Sequence, residues 1–247
     1  QSIHALETCR MSPGRDSGGG TGLPATATPL VDTFTEFIAN CRQPRFRSMG
    51  DFAEAEIVIP DGPFEGRKFR RSRQPYVGMW FDEIDSGNWR RHVATGPTQS
   101  GKTLACSVIP TLYHLFERNE TVIFAMPSLQ MAGDKWREDL EPVIWRSRYR
   151  DLIPEKGEGS RGGTVKTAIK FKNGATLRFM GGGGGDKQRS AFTSRVVVVT
   201  ETDGLDEAGG TSRETDKLKQ IEYRTKSHGS NARIYLECTV SNESGRT

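Results

Sequence analysis

Residues 96–103 of the sequence, GPTQSGKT, fit the pattern G-x-x-x-x-G-K-[ST] of a phosphate-binding loop, or P-loop. A short and partly apolar run, Trp89 to Thr95, precedes this loop. The segment Leu104 to Phe116 follows it with apolar residues at helical spacing. The motif requires this order of strand, loop and helix. The chain is therefore restricted to folds in which a strand delivers a glycine-rich turn to the beginning of a helix.

Each residue type in the loop has a chemical reason. Glycines let backbone N–H groups turn inward around phosphate oxygens, and the N-terminus of the following helix adds a favourable dipole. Lys102 can reach the β- and γ-phosphates of a nucleotide, and the Thr103 hydroxyl can bind Mg²⁺. The sequence therefore predicts a site for a nucleoside triphosphate. Its predicted contacts in the loop are Gly96, Pro97, Thr98, Gln99, Ser100, Gly101, Lys102 and Thr103.

Composition sets only broad limits. The chain has 247 residues, of which 34% are hydrophobic, and a formal net charge of +4 that is compatible with nucleic-acid binding without arguing for it. The 4 cysteines are widely spaced and form no C-x-x-C pair, so we expect no zinc site and a reducing compartment. No apolar run approaches the roughly 20 residues of a membrane-spanning helix, so no membrane contact is expected.

Three regions are expected along the chain. Residues 1–30, rich in Gly, Ser, Pro and Thr, are expected to form a disordered or non-native leader. Residues 31–73 are expected to form a helical and extended N-terminal appendage, which ends in the basic run Arg67 to Arg73. That run is either a solvated charged face or a contact for phosphate groups. Residues 74–247 are expected to form the P-loop domain.

From Trp89 onward, strand-like and helix-like segments alternate. The Asn-Gly pair in Lys172-Asn173-Gly174 separates two alternating runs, which is the strongest short-range signal for a β-hairpin. This alternation predicts an α/β fold of the RecA/ASCE-like P-loop NTPase type. We expect a mostly parallel central sheet with helices on both faces and a β-hairpin insertion. The predicted strands are Thr121 to Met126, Ala168 to Phe171, Ala175 to Met180, Arg195 to Thr200 and Arg233 to Thr239, and the predicted helices include Gln74 to Asp85 and Leu129 to Arg146.

Two acids follow the tetravaline strand that ends at Thr200. Open parallel sheets bind ligands at the carboxyl ends of their strands. Glu201 is therefore predicted to be the general base that orients the attacking water, and Asp203 to reach the metal shell. The usual aspartate would stand at position 200, where Thr200 can only hydrogen-bond a metal-bound water. The alternative interpretation of these residues is an ordinary polar turn after a strand.

Two further segments carry candidate site residues. Gln74 stands before the P-loop strand beside Tyr76, so Gln74 is a candidate contact for adenine and Tyr76 for stacking; a helix cap and a core aromatic are equally consistent with the pattern. The glycine run 181–185 continues into a polar segment that contains Arg189. Arg189 is a candidate contact for DNA or phosphate, and the alternative is a flexible spacer.

Together these features resemble the ATPase domain of tailed-phage terminase large subunits, especially the GpA-type packaging ATPases. The resemblance covers residues 74–247. It rests on the P-loop, the hairpin KFKNGATLRFMG at 170–181, the Gly-rich loop ending in Arg189-Ser190, VVVVTETD at 196–203 and the segment Cys238 to Ser241. In that family a Ser/Thr-rich coupling motif ends the strand that follows the acidic one. Here that strand is Arg233 to Thr239, so the resemblance gives the coupling role to Thr239 and Ser241.

The resemblance implies an Mg²⁺-dependent ATPase that drives double-stranded viral DNA into a procapsid. The implied partners are DNA, a portal, a small terminase subunit and further copies of the chain in a ring. The implied location is the host cytoplasm. The family's C-terminal nuclease is not expected in this chain.

Two departures from the family pattern keep alternatives open. Thr200 replaces the usual aspartate, and Thr98 stands where some large terminases carry an arginine, a charge that Arg189 or a neighbouring subunit could supply instead. The alternatives are a helicase-like P-loop ATPase that acts on nucleic acid and a nucleotide-gated DNA-binding module with little turnover.

Overall fold

A six-stranded β-sheet organises the protein. The computed structural model describes residues 46–161, 163–182, 192–207 and 217–239. The strand order is β1-β6-β5-β2-β4-β3, and every neighbouring pair is parallel except β3 and β4. The strands are β1 (Arg91–Gly96), β2 (Val122–Met126), β3 (Ala168–Lys170), β4 (Thr176–Gly181), β5 (Val196–Thr200) and β6 (Arg233–Thr239).

Six helices connect or flank these strands in the part of the chain that the structure describes. They are α1 (Met49–Glu56), α2 (Pro75–Asp85), α3 (Thr103–Val108, Ile109–Leu112 and Tyr113–Glu117), α4 (Leu129–Met131, Ala132–Asp134, Lys135–Leu140 and Glu141–Trp145), α5 (Gly204–Glu207) and α6 (Lys217–Glu222). Short 3₁₀ turns occur at Gly62–Phe64, Arg71–Arg73, Arg148–Leu152 and Tyr223–Asn231. No described helix has the length and apolar character needed to cross a membrane.

The tetravaline strand β5 shows how the sheet divides two cores. Successive side chains of a strand point to opposite faces, and all four valines are fully buried. Val196 and Val198 join the larger core, which contains residues of α1 to α4. Val197 and Val199 join a smaller core with Leu205, Leu218 and Ile221 of α5 and α6. The predicted α/β fold, with a mostly parallel sheet and helices on both faces, is therefore confirmed.

The predicted hairpin is present, and its strands belong to the main sheet rather than to a separate insertion. The Phe171 N–H donates to the Ala175 carbonyl at 2.9 Å, and Gly174 turns the chain with a φ of +90°. Strand β4 then pairs in parallel with every residue of β2, from Val122 opposite Leu177 to Met126 opposite Gly181. The hairpin thus forms the outer edge of the main sheet.

The described part of the N-terminal region packs on the α3 side of this sheet. Arg47 forms ion pairs with Glu56 at 2.7 Å and with Glu117 of α3 at 2.6 Å. The ring of Phe52 in α1 lies edge-on to Tyr113 of α3, with centroids 5.5 Å apart. The described residues from Phe46 onward belong to one compact unit. The boundary between an appendage and the P-loop domain at residue 73 stays a prediction. The expected leader, residues 1–30, and the first part of the expected appendage, residues 31–45, lie outside the described residues.

A buried histidine joins α3 to the sheet. His114 is 2% exposed, with its Nδ1 2.8 Å from Glu120 Oε2 and its Nε2 2.9 Å from the Tyr235 hydroxyl. Arg195 pairs with the same Glu120 carboxylate at 2.6 Å. Burial is the largest effect on His114 and, against the pull of Glu120, lowers its pKa to about 4. The folded protein therefore holds this imidazole neutral at pH values where the unfolded chain protonates it.

Acid is expected to destabilise the fold through this residue. Between pH 6.5 and about 4 the unfolded state binds a proton that the native state does not. The free energy of unfolding therefore decreases as the pH is lowered, by up to about 1.4 kcal/mol per pH unit. Urea unfolding of wild type and His114→Gln at pH 7, 6 and 5 measures how the free energy of unfolding depends on pH. The variant should lose the part due to His114, because glutamine does not titrate. His92, whose pKa is also lowered by burial, leaves a residual slope in the variant. Equal slopes in the two proteins would contradict the assignment to His114.

Candidate active site

The parallel strands bring the predicted site residues to one edge of the sheet. Strand β6 lies between β1 and β5, and its residues Glu237 to Thr239 reach the carboxyl ends of both neighbours. Gly96, the first P-loop residue, is opposite Thr239, and Thr200 is opposite Glu237. The P-loop, the acidic segment and the predicted coupling residue Thr239 therefore meet at the same edge.

The P-loop has the backbone that its glycines predict. Gly101 has a φ of +76°, and a Cβ at this position would lie 3.1 Å from the Gln74 side-chain nitrogen. Lys102 is buried, 6% exposed, and its Nζ donates to the Pro97 carbonyl at 2.6 Å. The Ser100 hydroxyl donates to the same carbonyl at 2.9 Å. The loop thus closes on itself, with the lysine amine folded across it.

Two side chains from the start of α2 hold the loop from outside. The Gln74 side-chain amide donates to the Ser100 carbonyl at 3.1 Å, and the Tyr76 hydroxyl donates to the same oxygen at 2.7 Å. Pro75 begins the helix between them, which fixes their spacing. The sequence did not indicate this brace. Adenine contact by Gln74 and stacking by Tyr76 stay predictions.

Two adjoining clefts surround the loop. One, of about 310 Å³, is lined by P-loop residues together with Asp61, Glu138, Asp139 and Thr239. The other, of about 710 Å³, shares Gln99, Gly101 and Leu104 with the first and extends to Gln74, Phe64 and Arg73. The Arg73 guanidinium lies 5.0 Å from the centre of the Phe64 ring. The pair of clefts offers a polar compartment beside the loop and a larger one with an aromatic wall.

Glu201 extends from the end of β5 in a strained conformation. Its φ of +55° is unusual for a residue other than glycine and typical of functional positions. Its side chain is 46% exposed, and its Oε1 lies 3.0 Å from the Nζ of Lys135. Lys135 also pairs with Asp139 at 3.2 Å. Burial of Lys135 works against its charge, but the charges of Asp139 and Glu201 prevail and raise the Lys135 pKa.

Thr200 points away from solvent, toward a carboxylate of the next strand. It is fully buried, and its hydroxyl donates to Glu237 Oε2 at 2.8 Å. By the alternation of β6, Glu237 lies on the same face as Tyr235, the face that carries α3. Burial and then the charge of Glu237, opposed by Lys102, raise the pKa of Cys106 in α3 to about 12. The Glu237 carboxylate therefore acts electrostatically on the first turns of α3.

The roles predicted for Asp203, Arg189 and Ser241 stay predictions. Asp203 is described, two residues beyond Glu201, whereas Arg189 and Ser241 lie outside the described residues. The sequence pattern did not single out Lys135, Asp139 and Glu237. The signal that could have found them is position, since each lies on or after a strand that ends at the same edge as the P-loop strand.

The donor set fits a nucleotide-bound cation better than a protein-only metal centre. No group of three or more His, Cys, Asp or Glu side chains among the described residues could hold a metal ion by itself. The possible cation ligands that remain are the Thr103 hydroxyl and isolated carboxylates, and all of them are hard oxygen donors. Mg²⁺ is commonly held in this way, by one or two protein oxygens, water and substrate phosphates.

Comparison with known proteins agrees with this geometry. Residues 64–245 match the family model described as "Phage terminase large subunit gpA, ATPase domain". No curated protein matches the sequence significantly. Among solved structures, the large terminase of bacteriophage HK97 is similar, with a TM-score of 0.58 and 13% sequence identity. The similarity covers 81% of this chain and 40% of that terminase, so this chain spans less than half of its length. At this identity the structural match supports the fold alone.

The brace on the P-loop gives a first test of the site. Replacing Tyr76 by Phe removes one of the two donors to the Ser100 carbonyl, and such hydrogen bonds contribute about 1 kcal/mol. We expect nucleotide affinity to fall about fivefold, measured by fluorescence anisotropy with a labelled ATP analogue. Tyr223→Phe, at an exposed tyrosine that makes no contact with the loop, is the control. Equal affinity in Tyr76→Phe and wild type would show that the brace does not shape the site.

Proposed function

Because the chain belongs to the family of gpA-type phage terminase large subunit ATPase domains, we propose that it hydrolyses ATP to translocate double-stranded viral DNA into a procapsid. One observation carries the proposal. The P-loop, Glu201 and Thr239 lie at the ends of β1, β5 and β6, which are neighbouring parallel strands. This arrangement suits a site where phosphate binding, water activation and a mechanical output share one sheet edge.

The P-loop is proposed to hold the triphosphate. Backbone N–H groups of residues 96–103 would surround the phosphates, and Lys102 would exchange the Pro97 carbonyl for the β- and γ-phosphate oxygens. Thr103 would contribute its hydroxyl to Mg²⁺. When bound, the cation offsets negative charge on the phosphates. The nucleoside would occupy the larger cleft beside Gln74 and Phe64.

Glu201 is proposed to be the general base. Its carboxylate would accept a proton from the water whose oxygen attacks the γ-phosphorus, while the bridging oxygen leaves with ADP. The exposed position of Glu201 at the edge of the sheet leaves room for that water. Lys135 would hold the Glu201 side chain in place, since the two form an ion pair at 3.0 Å.

Coupling to DNA is proposed to run through β6. Thr239 lines the cleft beside the P-loop, so a change at the γ-phosphate would be felt at the end of this strand. Ser241 would continue the coupling segment, and Arg189 would contact DNA or complete a neighbouring site. We further propose that the working form is a ring of copies docked on a portal with a small terminase subunit, in the host cytoplasm.

A second candidate is a nucleotide-gated DNA-binding module with little turnover. Thr200 favours it, because this buried hydroxyl supplies no charge to a metal shell. A gated module would bind ATP tightly without releasing phosphate even in the presence of DNA and procapsids. The hydrolytic function requires phosphate release under those conditions.

Two substitutions test the proposed chemistry. Lys102→Ala is expected to abolish ATP binding and turnover. Glu201→Gln is expected to keep ATP bound while phosphate release falls about 10²–10⁴-fold, because amides do not accept the proton. Phosphate release is measured with Mg²⁺ and double-stranded DNA on the full-length protein.

Matched surface variants control for general damage. Lys166→Ala and Glu155→Gln change the same residue types at exposed positions, and both should keep wild-type turnover. Unchanged turnover in Glu201→Gln would reject the assignment of the base. Tight ATP binding without turnover in the wild type, with procapsids present, would favour the gated module.

A further inference from the structure

Glu237 is a buried carboxylate without a cationic partner. It is 3% exposed on strand β6, and the Thr200 hydroxyl is its side-chain donor, at 2.8 Å to Oε2. Throughout the described ranges, no Lys, Arg or His lies within the ion-pair distance of its oxygens. The nearby Lys102 amine donates instead to the Pro97 carbonyl. A buried carboxylate with one side-chain donor and no cationic partner keeps lone pairs that can accept a further ligand. Buried charges in proteins are as a rule paired or coordinate metals.

Glu237 lies close to position 200, where the family usually has an aspartate and this chain has Thr200. Thr200 and Glu237 are direct partners on adjacent parallel strands, and both side chains lie on the face that carries α3. One Glu237 oxygen is a single hydrogen bond away from the Thr200 side-chain oxygen. The longer glutamate side chain thus brings a negative charge from β6 to the place where an acid at position 200 would present it from β5.

From this geometry we propose that Glu237 supplies the negative charge that Thr200 lacks and, with Thr103, holds the hydrated divalent cation of the nucleotide site. The proposal rests on the proposed nucleotide-binding function and names a further residue for it. Thr200 is then a positioning residue, since its hydroxyl orients the Glu237 carboxylate. The Thr200–Glu237 pair, on two strands, then takes the role that one aspartate at position 200 would have.

Metal binding tests this inference directly. Mn²⁺ binding to the ADP complex is measured by electron paramagnetic resonance for wild type, Glu237→Gln and the double variant Thr200→Asp/Glu237→Gln. Glutamine keeps the size and an acceptor for Thr200 but removes the charge. We expect Glu237→Gln to weaken Mn²⁺ binding about 10-fold or more, and the double variant to recover most of it.

A second measurement separates this inference from damage to the fold. In EDTA, Glu237→Gln should melt at or above the wild-type temperature, because it removes a buried carboxylate that has no cationic partner among the described residues and keeps an acceptor for Thr200. Unchanged Mn²⁺ affinity in Glu237→Gln would overturn the inference. A loss that Thr200→Asp does not recover would also overturn it, because Glu237 would then have a purely structural role.

The same experiment separates this inference from the proposed function. Binding of fluorescent ADP is followed in parallel, with and without Mn²⁺. If wild-type protein and Lys102→Ala bind ADP equally weakly, the proposed function fails. If the wild type binds ADP through Lys102 while Glu237→Gln leaves Mn²⁺ affinity unchanged, the function stands and only the role of Glu237 is lost.

Discussion

The parallel insertion of β6 between β1 and β5 is the arrangement on which the rest of the site depends. It places Thr239 opposite the first glycine of the P-loop and Glu237 opposite Thr200. Because all three strands run in one direction, their carboxyl ends and the loops that follow share one edge. The buried valines of β5 fix this register from both faces, since a shift of one residue would exchange the two cores. The chemistry of the edge is therefore set by packing in the interior.

Charge in the site is held in three different ways. Lys102 is satisfied by a backbone carbonyl, Glu201 by the amine of Lys135, and Glu237 by the hydroxyl of Thr200. The Lys102 amine lines the cleft beside the P-loop, and the Glu201 carboxylate is exposed. The third contact is buried and cannot move far. The site thus has an accessible part, with Lys102 and Glu201, and a buried part, with Glu237.

Local patterns in the sequence predicted much of the fold. The P-loop, the Asn173-Gly174 turn and the tetravaline strand each specify their structure through neighbouring residues, and all appear where they were predicted. The contacts of Gln74 with Ser100, Lys135 with Glu201 and Thr200 with Glu237 were not predicted. Each joins residues at least 26 positions apart, so the order of strands in the sheet had to be known first. The coupling role of Thr239 comes from the family resemblance and stays a prediction; the structure places Thr239 in the lining of the cleft beside the P-loop.

The central proposal is that one edge of the sheet forms a complete site for ATP hydrolysis. A crystal structure with ADP, aluminium fluoride and Mg²⁺ would test it most directly. We expect phosphates enclosed by residues 96–103, Glu201 within hydrogen-bond reach of the water in line with the aluminium, and Glu237 bonded to the hydrated cation. A nucleotide bound away from the P-loop, or Glu201 out of reach of that water, would contradict it.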